Sequence, residues 1–160
     1  MQWVALIAVA IAALDQFSKW LVVRSISPTE PCVVVSGFFS LVNWRNTGAA
    51  WGILQRYNLV LTTVSVLTVL VLWLFRHSFS LGRPGSRLAL GLIAGGIIGN
   101  LIDRVRVGSV IDFLYFSIGQ YHWPAFNVAD SSICVGVGLY IILSWRTGGS
   151  TEKHHATISS

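Results

Sequence analysis

The sequence predicts an all-α integral membrane protein: four transmembrane helices with a small extracytoplasmic β-hairpin and a short interfacial helix. Three observations predict it. Hydrophobic residues make up 54% of the 160 residues, and mean hydropathy is +0.68. Charged residues are only 11%, less than half of the roughly 25% usual in a soluble domain. Four apolar segments approach the length that a ~30 Å hydrocarbon core demands. The wealth of aromatic and branched side chains excludes a disordered chain. The length suits one domain, taken as residues 1–146.

The first span is read at 3–23, about 31 Å as a helix. A cleaved signal peptide would need a basic residue ahead of it and a small-x-small cleavage site behind it, and neither is convincing here. Residues 33–44, VVVSGFFSLVNW, place β-branched and aromatic runs around Ser36-Gly37 and read as a hairpin. The next stretch, AAWGIL with Trp51, suits a short element in the headgroup region. The second span, 57–75, carries no charge. The third is short at Leu88–Ile102 and reaches spanning length only by running through Asp103 and Arg104 to Val107, so it is read at 88–107. Gly91, Gly95 and Gly99 recur every four residues in it, a stripe that lets a second helix approach closely. The fourth is read at 126–145. Residues 147–160 are polar and read as a disordered cytoplasmic tail.

Lys and Arg number 11 against 6 Asp and Glu, a formal charge of +5. The basic residues are scattered beside the apolar segments, which suits retention on one side of a bilayer rather than nucleic acid. An even number of spans puts both termini on one side. The basic residues of the two sets of connections are equal in number, so density decides. Arg76, Arg83 and Arg87 cluster in the linker 76–87, which assigns that linker and both termini to the cytoplasm. Cys32 lies before the second span and Cys134 within the fourth, an arrangement that does not suit a disulfide. The histidines all fall outside the spans, and no Cys/His spacing suits a metal.

The four aspartates are the most informative residues. An ionisable group in a span costs about 2.5–3.5 kcal/mol on insertion scales, so each is a functional candidate with a structural alternative. Asp15 lies four residues before Lys19, and an i,i+4 ion pair with Lys19 snorkelling outward would explain both. Asp103 precedes Arg104, with which it could anchor the helix end. Asp130 follows Asn127 by three, as in a capping box. Asp112 lies in Val-Ile-Asp-Phe with no adjacent base and no cap pattern, and so has the weakest structural excuse. With the termini inside, Asp103, Asp112 and Asp130 share the outer interface, and Asp15 lies in the outer half of its helix. Two close carboxylates hold one proton near neutral pH and can activate a water and protonate a leaving amine, the chemistry of an aspartic peptidase. HExxH and GxSxG are absent. Ser18 and Lys19 are adjacent on a helix and cannot form a dyad. A small proton-coupled transporter would also use membrane carboxylates, but should show internal repeats and midplane sites.

The motifs that carry these residues resemble a family: lipoprotein signal peptidase (signal peptidase II), a bacterial membrane aspartic peptidase. The resemblance rests on Asp15-Gln16 with Lys19, then NTGAAWG over Asn46–Gly52, and GGIIGNLIDR over Gly95–Arg104 running on to Val-Ile-Asp112-Phe. It ends with Phe126-Asn127-Val-Ala129-Asp130. These follow in order over residues 1–146, with Trp51 where the family more usually has Phe. The resemblance implies that Asp112 and Asp130 are the catalytic pair. It assigns supporting positions to Asp15, Lys19, Asn46, Gly48, Asn100, Asp103, Arg104, Asn127 and Ala129. Residues 33–56 would form a β-cradle and short helix around the substrate. That substrate would be a prolipoprotein whose lipobox cysteine carries a diacylglyceryl group, cut just before that cysteine. The resemblance also implies no metal or cofactor, inhibition by globomycin, and a place in the bacterial cytoplasmic (inner) membrane with the site at the outer face. Expected partners are the substrate and membrane lipid, without nucleic acid, for a chain acting as a monomer.

Overall fold

The computed structural model describes residues 1–48, 54–76, 78–79 and 83–156, with side chains as far as 146. Residues 49–53, where the expected interfacial element and Trp51 fall, lie outside the described residues, as do 77, 80–82 and 157–160. The elements in chain order are α1 (Gln2–Ser25), β1 (Cys32–Val35), β2 (Phe39–Asn46), α2 (Asn58–Leu74), α3 (Pro84–Val107), β3 (Val110–Ile118), β4 (Tyr121–His122) and α4 (Val128–Ala156).

The helices are apolar outside and small or polar inside. On α1 the buried residues are Ala8, Ala12, Asp15, Lys19 and Val22, spaced by three or four so that they form one face. Trp3, Leu6, Val9 and Phe17 are exposed. Lipid tails solvate large apolar side chains as well as a protein interior does, so helices in a bilayer associate through close packing of small residues instead. Three described helices are long and apolar enough to cross a membrane: Gln2–Ser25, Pro84–Val107 and Val128–Arg146. α2 is apolar but shorter, with 17 residues.

α3 is the hub of the bundle, with α1, α2 and α4 packed around it. The glycine stripe faces α1. A Cβ at Gly91 would lie 2.6 Å from Ile7 Cβ, one at Gly95 2.7 Å from Ile11 Cβ, and one at Gly99 2.7 Å from Asp15 Oδ2. Positions 7, 11 and 15 therefore meet 91, 95 and 99 in turn, so α1 and α3 run parallel with rows of every fourth residue in register. α4 runs the other way, with Ala129 and Ser132 beside Gly96 and Leu143 beside Gly85.

At the end of the bundle where α1 and α3 stop and α4 begins lies a four-stranded antiparallel sheet in the order β1-β2-β3-β4. The predicted hairpin is β1–β2, turning at Gly37 with φ +71°. The sheet is larger than the sequence reading allowed. Residues 110–118, an outer connection on the sequence pattern, form β3, the longest strand among the described residues, paired with β2 and then with β4. The description all-α is corrected accordingly. The local cause is Gly108, whose φ of +73° ends α3 in a left-handed cap and turns the chain into β3 within two residues.

The β2–β3 pairing contains a bulge. Leu41 pairs with Leu114 and Trp44 with Asp112, so β2 spends one more residue than β3 between these pairs. Val42 and Asn43 are consecutively buried there, and Asn43 Nδ2 donates to Ile26 O at 3.0 Å, tying the bulge to the end of α1. A one-residue shift exchanges the two faces of a strand. The bulge therefore puts Trp44 and Asn46, rather than Asn43 and Arg45, on the face of Asp112. α4 also differs from its expected bounds. Its backbone ladder continues to Ala156, through much of the segment expected to be a disordered tail. Residues 147–156 contain no proline, and extending a formed helix costs far less than starting one.

Candidate active site

Asp112 is held on β3 by two amides. Asn46 Nδ2 donates to its Oδ2 at 2.9 Å, and Asn127 Nδ2 donates to its Oδ1 at 2.7 Å. Asn46 reaches it diagonally across the β2–β3 ladder, two pairs beyond Trp44 and so on the same face. Asn127 reaches it because Phe126 exchanges backbone hydrogen bonds with Leu114, which lands the start of α4 beside β3. Both amides are oriented by their other ends. Gly48 N–H donates to Asn46 Oδ1 and Asp130 N–H donates to Asn127 Oδ1, each at 2.9 Å. Each backbone N–H can only donate, so each amide oxygen must face it and each NH2 must face the carboxylate.

Asp130, in the first turn of α4, is held the same way. Asn100 Nδ2 donates to its Oδ1 at 2.7 Å, while Asn100 Oδ1 accepts from Lys19 Nζ at 2.9 Å. Asn127 provides one half of the expected capping box, accepting the Asp130 N–H. The Asp130 carboxylate is directed to Asn100 instead of back to the cap.

Behind Asn100 lies a buried ionic cluster. Lys19 Nζ is 2.7 Å from Asp15 Oδ2 and 2.8 Å from Asp103 Oδ2. The i,i+4 pair of Asp15 and Lys19 is present, but Lys19 does not snorkel outward. It is only 1% exposed, because three acceptors inside the bundle use all three of its N–H donors. Asp103 pairs with Lys19 rather than with its neighbour Arg104. Consecutive helical residues point about 100° apart, so adjacency in sequence does not bring them together. Asp15 Oδ1 accepts the Ala129 N–H at 2.9 Å, supplying the start of α4 with an acceptor from another helix. Asp103 Oδ2 accepts the Ile111 N–H at 3.2 Å. Gln16, which the sequence reading placed in a motif but not in the site, donates to Asp103 Oδ1 at 2.8 Å and to Gly99 O at 3.1 Å. Its signal was helical spacing: Gln16 lies one position from Asp15 and three from Lys19, on the edge of the same buried face.

Asp112 and Asp130 face one cavity of about 1030 Å³, lined at its polar part by these two, Asn46, Asn100 and Arg104, with the ionic cluster behind it. Apolar residues including Trp44, Val110, Phe126 and Ile133 line much of the rest. Arg104 is half-buried. Burial pushes the Asp112 carboxyl up to about 7 against the two amide donors that favour its charge, and the negative charge of Asp130 adds to the rise. Asp112 is therefore poised near neutrality, where a group that must both take and give a proton works best. Among the described residues, no group of three or more His, Cys, Asp or Glu side chains is arranged to hold a metal ion. Cys32 and Cys134 are free and exposed.

The chain has close relatives among known proteins. The family model described as Signal peptidase (SPase) II matches residues 7–146. The lipoprotein signal peptidase of Syntrophotalea carbinolica is 49% identical over 150 residues, covering 89% of this chain and 91% of that protein. The lipoprotein signal peptidase of Bacillus subtilis (strain 168) is 41% identical over 153 residues, covering 92% and 96%. A bacterial membrane enzyme structure determined by the in meso method superimposes with a TM-score of 0.85 at 31% identity, covering 94% of this chain and 92% of that one. Its apolar helices, the membrane enzyme it resembles in structure and the family match over residues 7–146 agree that this chain is a membrane protein of the signal peptidase II family.

Proposed function

We propose that this protein is an aspartic endopeptidase that removes the signal peptide from prolipoproteins, cutting just before a lipobox cysteine that carries a diacylglyceryl group. The observation that carries this reading is that Asp112 on β3 and Asp130 on α4 open into one cavity with asparagine amides aimed at both. The relatives named lipoprotein signal peptidase support the substrate class.

In this mechanism one aspartate is ionised and takes a proton from water as the water oxygen attacks the scissile carbonyl carbon. The other, protonated, hydrogen-bonds the carbonyl oxygen as it becomes tetrahedral. Collapse of that intermediate breaks the C–N bond, and a proton passes to the nitrogen of the departing cysteine. The signal peptide leaves with a new carboxylate and the lipidated cysteine with a free amine. The acid and base titrate as a pair. No step in this scheme requires a cofactor. Asn46, Asn100 and Asn127 hold the two carboxylates, and Asp15, Lys19, Asp103, Arg104, Gly48 and Ala129 support them.

The location belongs to the same proposal. Four helices span the cytoplasmic membrane with both termini inside, and the sheet and cavity lie at the outer face, where a lipid-anchored peptide bond would be presented. The Arg76, Arg83 and Arg87 linker joins the far ends of α2 and α3, at the opposite end of the bundle from the sheet, which supports this orientation. The test is incubation of the purified protein in detergent with a lipidated precursor, with and without globomycin. A mass loss equal to the signal peptide, blocked by globomycin, is the expected result. An intact precursor would overturn the proposal.

A further inference from the structure

Lys19 lies outside the cavity lining, yet each of its three contacts leads to a different part of the site. Through Asn100 it reaches the carboxylate of Asp130. Through Asp103 it reaches the Ile111 N–H, the residue before Asp112. Through Asp15 it reaches the Ala129 N–H, the residue before Asp130. The Asn100 link has a directional consequence. An amide can present either its oxygen or its NH2 to a neighbour, and the two ends have nearly the same shape. An ammonium has no lone pair, so Lys19 compels Asn100 to turn its oxygen inward and its NH2 toward Asp130. Without Lys19, the amide oxygen loses this donor, and the hydrogen bond to Asp130 alone is left to orient the side chain.

We propose that Lys19 is a positioning residue for the dyad, whose ammonium fixes the amide orientation of Asn100 and thereby holds Asp130 in its working geometry. This rests on the reading of Asp112 and Asp130 as the catalytic pair. A merely structural lysine would neutralise Asp15 and Asp103 and matter only through folding. The two roles separate in a double-mutant cycle, because residues that act through one another are non-additive in rate.

The experiment measures kcat, KM and melting temperature for the full chain in detergent with a lipidated precursor. The variants are Lys19→Gln, Asn100→Leu, their combination, and Asn100→Asp, with Asp112→Asn and Asp130→Asn as references. Asn100→Asp keeps an oxygen for Lys19 but replaces the NH2 that faces Asp130 with a second oxygen. It is expected to lower the melting temperature, because it sets a second buried carboxylate against Asp130, to lose about 100-fold in kcat, and to change KM by less than about threefold. The double variant is expected to have a kcat no lower than the poorer single variant. Asn100→Asp turning over within about threefold of wild type would overturn the proposal, as would a double variant whose loss is the product of the single losses. If Lys19→Gln does not fold, Lys19→Gln combined with Asp15→Asn, which removes the lysine together with one of the carboxylates it neutralises, takes its place in the cycle. Cleavage within about tenfold of wild type by Asp112→Asn or Asp130→Asn would instead sink the dyad reading itself.

Discussion

Asn127 donates to Asp112 Oδ1 at 2.7 Å while its own Oδ1 accepts the N–H of Asp130 at 2.9 Å. One side chain therefore caps α4 and aims an N–H at a carboxylate on another element. Serine caps helices about as well as asparagine, but its hydroxyl cannot fill both positions. Asn127→Ser is expected to melt close to wild type and to lose about tenfold or more in turnover, since a hydrogen bond to a charged group contributes about 1.5–3 kcal/mol. Normal turnover of the lipidated precursor by Asn127→Ser would reduce Asn127 to a cap.

Asp112→Asn and Asp130→Asn preserve shape and remove proton transfer. Each is expected to lower cleavage by about 100-fold or more, with the double variant little worse than either single one. Both should insert and fold, because each removes a like charge from its partner's surroundings. Substantial activity in Asp112→Asn would leave Asp130 to work with another acid, and Asp103 would be the first to examine.

The raised Asp112 carboxyl makes a prediction about pH. Its folded value of about 7 lies above the ordinary 3.8, so between these values the folded chain binds more protons at this site than the unfolded chain does. The stability it contributes is fully present below about pH 4 and is lost as pH rises toward and through 7. In detergent melts from pH 4 to 8, the wild type should lose more stability with rising pH than Asp112→Asn. Parallel curves would show that Asp112 ionises normally.

Gly95 and Gly99 face the same helix but different atoms. A Cβ at Gly95 would sit 2.8 Å from the backbone oxygen of Ala8, which can yield only if the helices separate. A Cβ at Gly99 would sit 2.7 Å from Asp15 Oδ2, which can yield only by leaving Lys19 or Ala129. Gly95→Ala is expected to cost about 1–3 kcal/mol of stability by overpacking. Gly99→Ala is expected to lose more turnover per degree of melting temperature. Equal ratios for the two variants would separate the Asp15 cluster from catalysis.

Orientation is tested by labelling. In a background without Cys32 and Cys134, Gln120→Cys on the β3–β4 turn should react with an impermeant thiol reagent in intact cells. Ser78→Cys, beyond the far end of α2, should be shielded. The reverse pattern would place the cavity on the cytoplasmic side.

The sequence by itself determined the membrane class, the order of the apolar segments and which aspartates and which lysine lie among apolar neighbours. Hydropathy is a sum over consecutive residues, and a charge among apolar neighbours stands out without a fold. The β1–β2 hairpin was legible for the same reason, since Ser36-Gly37 between two β-branched runs is a local signal. The partners of the charges were not local. Asp103 sits beside Arg104 in the chain yet binds Lys19, because parallel packing of α1 on the glycine stripe of α3 brings positions 19 and 103 together and helical geometry turns neighbours apart. β3 was missed because its partner strand lies some seventy residues earlier. The face that carries Asn46 depends on a bulge whose anchor is the end of another helix. Only the tertiary structure decided which amide faces which carboxylate. An amide's direction is set by the donor at its far end, and those donors come from β2's own turn, from the α4 backbone and from Lys19 on α1.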